Sequence, residues 1–269
     1  MKIPSDGPVV VGVGDPVTDA AAVRLAAREA ASRGRVLQVV HAFAGPGDAG
    51  WGPARRVASH VVDEAVSIAQ RSTPGVDARG QLVDGPPARV LLRLSRGAVL
   101  VVVGGPLVEV VARAWCPVAV TRTPRTPSGP VLAAVDGSPC SVLVLRFAAE
   151  AADRRGGPVH VVHVAAPERE EDGERVLDEV LARAPWATAV RRLLLTGPPD
   201  ATLVRASGKA GMIVLGPRGA TATRRLGTTA GEVLHRAACP AVFVHGASPP
   251  AGFVKPGDGV PVLLPLTHT

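Results

Sequence analysis

The sequence has no tyrosine, and aromatic residues make up only 3% of its 269 positions. A core without large rings has to be built from smaller aliphatic side chains, and the apolar fraction of 46% is indeed mostly Val, Leu and Ala. Few aromatic rings also means few platforms on which nucleic-acid bases could stack. A chain of this length has room for two globular domains, each with its own core.

Cysteine is also scarce. The chain has three cysteines and no Cys-x-x-Cys spacing, which argues against a disulfide framework and against a zinc site. A reducing cytoplasm suits such a sequence. Cys116 and Cys239, each followed by proline, are predicted to be small core residues, and Cys140 is the most reactive thiol expected.

Long apolar runs are absent. No segment approaches the roughly 18 apolar residues of a membrane span, and residues 1–7 do not resemble a signal peptide. We therefore expect a soluble cytoplasmic protein with no membrane partner. The net charge is +7, but the arginines are scattered through the chain without a basic run, so we expect no nucleic-acid partner either.

An internal repeat of domain length is present. Residues 9–13 correspond to residues 131–135 at an offset of 122, and His41 corresponds to His163 at the same offset. Gly85 matches Gly197 at an offset of 112, so the first copy has ten extra residues between its second and third strands. We call the two copies the first half and the second half.

The repeat changes again near the end of each copy. Cys116 matches Cys239 at an offset of 123, so the first half lacks eleven residues between Gly104 and Glu109. In the second half these residues form a glycine-rich loop. The first half is predicted to span residues 1–123 and the second half residues 129–246, with a Pro-rich linker over 123–130 and a Pro/Gly-rich tail over 247–269 that either is disordered or packs on a partner.

Short apolar strands alternate with Ala-rich helices in both halves, and further helical segments are predicted at 54–72 and 168–184. This order indicates an α/β fold with parallel βαβ units, in which each half forms a doubly wound, Rossmann-like sheet of five parallel strands with flanking helices. Ligands of such sheets bind outside the carboxyl ends of the strands. We call that side of the sheet the carboxyl edge.

The glycine-rich loop follows the buried strand predicted at 212–215 and contains Gly216, Gly219 and Gly227. Glycines let the backbone approach a ligand closely, and the N–H groups at the start of the next helix favour an anion. Thr228 and Thr229 add hydroxyl donors at that helix start. A phosphate site and a plain structural turn both fit this pattern. The spacing matches neither a Walker loop nor the dinucleotide fingerprint.

The loop resembles the phosphate loop of the universal stress protein family, in which Gly, two residues and Gly are followed by nine residues and then Gly with Ser or Thr. Here seven residues separate Gly219 from Gly227. The likeness extends to residues 135–138 (Val-Asp-Gly-Ser), to His163-Val164 and to the closing residues 239–242 (Cys-Pro-Ala-Val). It covers nearly all of both halves and implies the related adenine nucleotide α-hydrolase-like fold.

The resemblance implies a site for an adenine nucleotide, which is ATP, with or without Mg2+, or AMP. Asp136 would lie at the nucleoside end, although a turn or cap role for this residue stays open. Arg218, Arg224 and Arg225 either supply positive charge to a triphosphate or are simply solvated. The implied adenine and ribose residues are Ala134, Asp136 and Val164, and the implied phosphate residues are Gly216, Gly219, Gly227 and Thr228, with Thr229 beside them.

The first half departs from this pattern twice. Gly14 replaces the strand-end Asp, and after residues 104–106 the chain enters a helix almost directly. We expect this half to fold similarly, to bind no nucleotide and to serve as a pseudo-dimer partner. His41 and His163 hold equal places in the repeat, which favours structural roles, and no catalytic or metal-ligand constellation is apparent.

The favoured interpretation is a tandem, non-enzymatic nucleotide-binding protein of the stress response. One alternative is an adenylating enzyme of related fold, for which residues 136–139 form a poor pyrophosphate loop. Another is a scaffold or dimerisation protein that has lost its nucleotide. Pairing of the two halves within one chain and further homodimerisation both stay open.

Overall fold

The computed structural model describes residues 6–45, 51–121, 128–187, 189–218 and 225–245. Most of the predicted linker and the whole tail at 247–269 lie outside these ranges, as do two predicted site residues, Gly219 and Arg224. Predictions about them therefore stay predictions.

The first half alternates strands and helices, as the sequence indicates. Its elements are β1 (Val9–Gly12), α1 (Ala20–Ser32), β2 (Leu37–Phe43), α2 (Trp51–Ser72), β3 (Ala78–Asp84), α3 (Pro87–Leu94), β4 (Leu100–Val103), α4 (Val108–Arg113) and β5 (Val118–Val120).

The second half repeats this order. Its elements are β6 (Val131–Ala134), α5 (Ser141–Arg155), β7 (Val159–Ala165), α6 (Glu170–Ala182), β8 (Val190–Thr196), α7 (Pro199–Ser207), β9 (Met212–Leu215), α8 (Thr228–Arg236) and β10 (Ala241–Phe243).

Each half forms the predicted sheet of five parallel strands, and the two sheets join through their closing strands. The strand order is β3-β2-β1-β4-β5-β10-β9-β6-β7-β8, in which only the β5–β10 pair is antiparallel among the described strands. Ala119 lies opposite Val242 in that pair. Because each closing strand would otherwise leave an unpaired edge, joining them satisfies the backbone of both. The halves therefore pair within the chain, as a pseudo-dimer.

The two length differences found in the repeat lie where the sequence places them. Helix α2 has 22 residues, whereas its counterpart α6 has 13. Residues 104–107 connect β4 to α4, whereas residues 216–227 connect β9 to α8. The connection in the first half is therefore the shorter one, by eight residues.

Two apolar cores lie on opposite faces of the sheet, and each runs through both halves. One face is covered by α1, α2, α5 and α6, and the other by α3, α4, α7 and α8. The central strands β1, β4 and β9 are apolar along their length because helices cover them on both faces. The core residues are small and aliphatic, as the composition predicts.

A buried carboxylate links α1 to α5, one helix from each half. Glu29 is 5% exposed. Its Oε2 lies 3.0 Å from Nη2 of Arg33, the residue that caps the end of α1, and 3.8 Å from Nη2 of Arg154, and its Oε1 lies 3.3 Å from Nη2 of Arg155. Burial and the neighbouring Arg33 guanidinium lower the pKa of Arg154. One acidic group therefore compensates several half-buried cations at the junction of the halves.

Candidate functional site

A cavity of about 590 Å3 lies at the carboxyl edge of the second half, between the ends of β6, β7 and β9 and the start of α8. Eight of the nine predicted site residues line it, and the ninth, Gly219, is outside the described residues. The eight are Ala134, Asp136, Val164, Gly216, Arg218, Gly227, Thr228 and Thr229.

Gly216 brings the end of β9 close to the cavity. A Cβ at this position would stand 3.3 Å from the Arg218 carbonyl oxygen and 3.5 Å from the Cys140 Sγ. At the far end of the loop, the Gly227 N–H donates to the Pro217 carbonyl at 2.9 Å. This bond holds the start of α8 beside the end of β9.

The start of α8 presents three N–H groups that have no acceptor within the helix. Gly227 is its N-cap residue and supplies no side-chain acceptor. The first intrahelical bond runs from the Gly231 N–H to the Gly227 carbonyl, at 2.8 Å. The N–H groups of Thr228, Thr229 and Ala230 precede that bond, and such groups have no partner within a helix. Together with the helix dipole they favour an anion.

Asp136 is a turn residue that also lines the cavity. Its Oδ1 accepts from the Ser138 N–H at 3.0 Å and from the Ser141 Oγ at 3.1 Å, as a turn residue does. It also lines the cavity at the carboxyl edge. Both of these side-chain hydrogen bonds within the described ranges use Oδ1, so Oδ2 is the oxygen available to a ligand hydroxyl.

His41 and His163 make equivalent bonds in the two halves. Each Nδ1 lies 2.8 Å from a strand-end carbonyl, that of Val13 for His41 and that of Val135 for His163. Because a carbonyl only accepts, the proton is on Nδ1 in both rings. These bonds tie neighbouring strands together, which confirms the structural role predicted from the repeat.

The corresponding cavity in the first half has about 260 Å3 and a carboxylate inside it. Oδ2 of Asp19 accepts from the N–H of Gly14 at 2.7 Å and from the N–H of Asp15 at 3.2 Å. Oδ1 of Asp19 lies against Gly104, so closely that an added Cβ there would overlap it. At the repeat offset of 122, Asp19 corresponds to Ser141, whose Oγ accepts from the Asp136 N–H at 3.2 Å.

Arg218 makes a contact that neither of the alternatives considered for it included. Its Nη2 donates to the Ala112 carbonyl of the first half at 2.7 Å, so the guanidinium is not simply solvated. Its Nε is buried and has no hydrogen-bond partner in the described part of the chain. Sequence reasoning did not find this contact because the two residues are 106 positions apart. Arg225, in contrast, is exposed.

His245, which follows β10 in the second half, also contacts α4 of the first half. The Nε2 of His245 lies 2.7 Å from the Val111 carbonyl, next to the carbonyl that Arg218 contacts. Burial lowers the pKa of His245 to about 4, and the nearby Arg218 guanidinium lowers it as well. His245 is therefore neutral at pH 7 and donates this hydrogen bond without a charge.

Several wall residues were missed at the sequence level. Pro199 and Leu203, on α7, form part of the apolar wall, and Ser138 lies beside Asp136. The repeat could have indicated the first two, because α7 follows the third strand of its half and so begins at the same edge.

The three cysteines fall into two groups. Cys116 and Cys239 are buried, and burial raises the pKa of each thiol to about 12, which confirms them as core residues. Cys140 lines the cavity, and its Sγ donates to the Val244 carbonyl at 3.1 Å.

In the described part of the chain, no three His, Cys, Asp or Glu side chains are grouped to hold a metal ion. No helix there is long and apolar enough to cross a membrane.

Comparisons with known proteins agree with this architecture. Residues 128–245 match the model of the universal stress protein family. A universal stress protein of Mycobacterium tuberculosis is 30% identical over 287 aligned residues, covering 88% of this chain and 96% of the relative. One from Mycolicibacterium smegmatis is 27% identical over 286 aligned residues, with the same coverage.

The fold is also shared with a solved structure. The crystal structure of a universal stress protein from Archaeoglobus fulgidus superposes with a TM-score of 0.69, covering 88% of this chain and 98% of the other at 18% identity. At this identity the likeness concerns the fold alone. The relatives of similar sequence, the family match and the common fold lead to one conclusion, which is that the chain belongs to the universal stress protein family.

Proposed function

We propose that the second half binds an adenine nucleotide, ATP or AMP, and that the chain acts as a nucleotide-dependent regulatory protein of the stress response. The observation that carries the proposal is the convergence of eight predicted site residues, drawn from four separate stretches of the sequence, on one cavity. At about 590 Å3 the cavity is within the 300–1,000 Å3 range typical of small-molecule sites.

The lining is divided in a way that suits a nucleotide. Apolar side chains from β6, β7 and α7 form one wall, where a base would be covered. Asp136 lies beside that wall and is placed to accept from a ribose hydroxyl. The uncapped N–H groups of α8, with the hydroxyls of Thr228 and Thr229, form the polar end, where phosphates would be bound. Mg2+, if bound, would be held mainly by phosphates and water, because Asp136 is the only carboxylate among the described lining residues.

We infer a binding role without chemistry. Phosphoryl-transfer sites position a lysine on the phosphates and acidic side chains on the metal. The described lining residues include no lysine and no second carboxylate. His163 is bonded through Nδ1 to a backbone carbonyl, and Oδ1 of Asp136 is used by its own turn. A bound nucleotide would then act by changing the shape of the chain or its choice of partner.

Calorimetry on the full chain with ATP, AMP and adenosine tests the proposal, and the repeat provides a matched pair of variants. Val164 and Ala42 are half-buried, hold the same place in the repeat and line the two cavities. Val164→Trp fills the larger cavity, so we expect nucleotide affinity to fall at least about tenfold. Ala42→Trp fills the smaller one and should leave affinity unchanged.

Other outcomes would contradict the proposal in distinct ways. Equal loss of nucleotide affinity in both variants, or loss only in Ala42→Trp, would show that the cavity of the second half is not the site. Release of pyrophosphate in the presence of a carboxylate substrate would indicate the adenylating enzyme instead. No binding at millimolar ATP would leave the scaffold interpretation.

A further inference from the structure

Arg218 makes contacts in both halves of the molecule. It lines the cavity of the second half two residues after Gly216, and its Nη2 donates to the Ala112 carbonyl in α4 of the first half. A side chain that contacts both halves can couple ligand binding in one half to a structural change in the other, provided that the ligand changes its contacts.

The contact with α4 is made at the end of that helix. The last carbonyls of a helix have no intrahelical donor. In α4, the Val110 carbonyl still accepts from the Ala114 N–H at 2.9 Å. The next two carbonyls, of Val111 and Ala112, accept instead from His245 and Arg218 of the second half. The last carbonyls of α4 therefore accept hydrogen bonds from two side chains of the second half, one that lines the cavity and one that follows β10.

The bond from Arg218 is one that a phosphate can displace. The guanidinium is a cation that is bonded to a neutral carbonyl, it makes no ion pair within the described ranges, and its Nε is buried without a partner. Hydrogen bonds between a cation and an anion are roughly twice as strong as those between neutral groups, and phosphate accepts from arginine through two parallel bonds. An anion in the cavity would therefore compete well with the Ala112 carbonyl.

We propose that α4 of the first half senses whether the phosphate end of the cavity is occupied. A phosphate draws the Arg218 guanidinium away from Ala112, and the last turn of α4 loses a donor and opens more often. This inference rests on the proposed function, since it requires an adenine nucleotide in the second half. It gives the first half a role that does not need a ligand of its own.

Hydrogen exchange of the full chain, measured by mass spectrometry over residues 108–115, tests the inference. ATP should raise exchange in this segment roughly fivefold, the ratio expected when one hydrogen bond of average strength is lost. Adenosine, which has no phosphate, should bind and leave α4 unchanged. In Arg218→Met, α4 should exchange faster without ligand, and ATP should add nothing.

An exposed arginine on α7 provides the control. Arg205 does not line the cavity, so Arg205→Met should keep the ATP response of the unmodified chain. If Arg218→Met fails to fold, the difference between ATP and adenosine on the unmodified chain still decides the matter.

Two negative results are distinguishable. If calorimetry shows ATP binding while exchange of α4 stays the same or slows, the coupling is wrong and the proposed function stands. If calorimetry shows no nucleotide binding, both are wrong.

Discussion

The two halves of the chain share buried hydrogen bonds and differ at the carboxyl edge of the sheet. In the first half the Trp115 N–H donates to the Ser95 Oγ at 3.1 Å, and in the second half the Ala238 N–H donates to the Ser207 Oγ at 2.9 Å. Both serines are almost fully buried. Such bonds are expensive to lose because an unpaired buried donor costs about 1–3 kcal/mol, which explains why both halves share them.

The differences gather at the carboxyl edge, where loops are free to vary. The second half has Asp136 at its strand end and Ser141 at the start of α5, whereas the first half has Gly14 and Asp19 in those places. The carboxylate of Asp19 accepts backbone N–H groups inside the smaller cavity. A fixed negative charge there opposes a phosphate. The comparison shows that one fold can keep its core and change the cavity at its carboxyl edge through the position of one carboxylate and the length of one loop.

The largest predicted effect concerns the charge that joins the halves. Glu29→Gln leaves the guanidinium groups of Arg33, Arg154 and Arg155 without their buried counter-charge. We expect the free energy of unfolding to fall by about 3 kcal/mol or more, because removing one partner of a buried ion pair typically costs 3–5 kcal/mol. Urea unfolding followed by circular dichroism measures this. In the second half, Ala151 corresponds to Glu29 at the repeat offset of 122, so this part of the junction is asymmetric.

An exposed pair is the control for that prediction. Glu109 and Arg113 lie 2.6 Å apart on α4, but their side chains are 50% and 63% exposed. Glu109→Gln should change the free energy of unfolding by less than about 0.5 kcal/mol. Similar losses in the two variants would show that Glu29 does not hold the halves together.

Alanine substitutions at two glycines distinguish effects on packing from effects on ligand binding. Gly104→Ala forces Asp19 to move, so we expect a loss of about 1–3 kcal/mol in the free energy of unfolding. Gly216→Ala meets its neighbours at 3.3 and 3.5 Å and should cost less than about 1 kcal/mol. Nucleotide affinity should respond in the opposite order and fall only in Gly216→Ala. Thermal unfolding and calorimetry on both variants would refute this if the two rankings coincided.

The smallest predicted effect exchanges the residues that distinguish the cavities. Ser141→Asp gives the second half the carboxylate that the first half has, next to Asp136. Repulsion between this charge and the phosphates should weaken ATP binding about tenfold, or about 1.4 kcal/mol, and adenosine binding much less. Calorimetry with both ligands measures the difference. Asp19→Ser is the converse control, and a change in ATP affinity there would mean that the first half takes part in binding.

Local patterns were sufficient to predict much of this molecule. The offset between His41 and His163 revealed the repeat, and the alternation of apolar strands with helices indicated two parallel five-stranded sheets. The carboxyl edge followed from parallel topology, so Asp136, Gly216 and Thr228 were expected at one place before any contact was known. Each of these predictions depended on residues close together in the chain or on a rule that holds for the whole fold class.

Contacts between the halves could not be read in this way. Nothing near Arg218 in the sequence points to the Ala112 carbonyl, and nothing near Glu29 points to Arg155. No local pattern marks Asp19 in the sequence, and only its contact with Gly104 shows that it lies within the smaller cavity. Side chains choose such partners when strands and helices pack, since backbone spacing alone does not set their directions.

The sequence by itself determined the order of strands and helices, the repeat, the missing loop and the residues that face the carboxyl edge, because these depend on residue type and spacing along the chain. Only the tertiary structure decided that β5 pairs with β10, that α4 is completed by His245 and Arg218, and that the cavity of the first half is the smaller one, with Asp19 bonded to backbone N–H groups inside it. The physical reason is that hydrogen bonds and charges are satisfied by whichever groups the packed fold brings within reach.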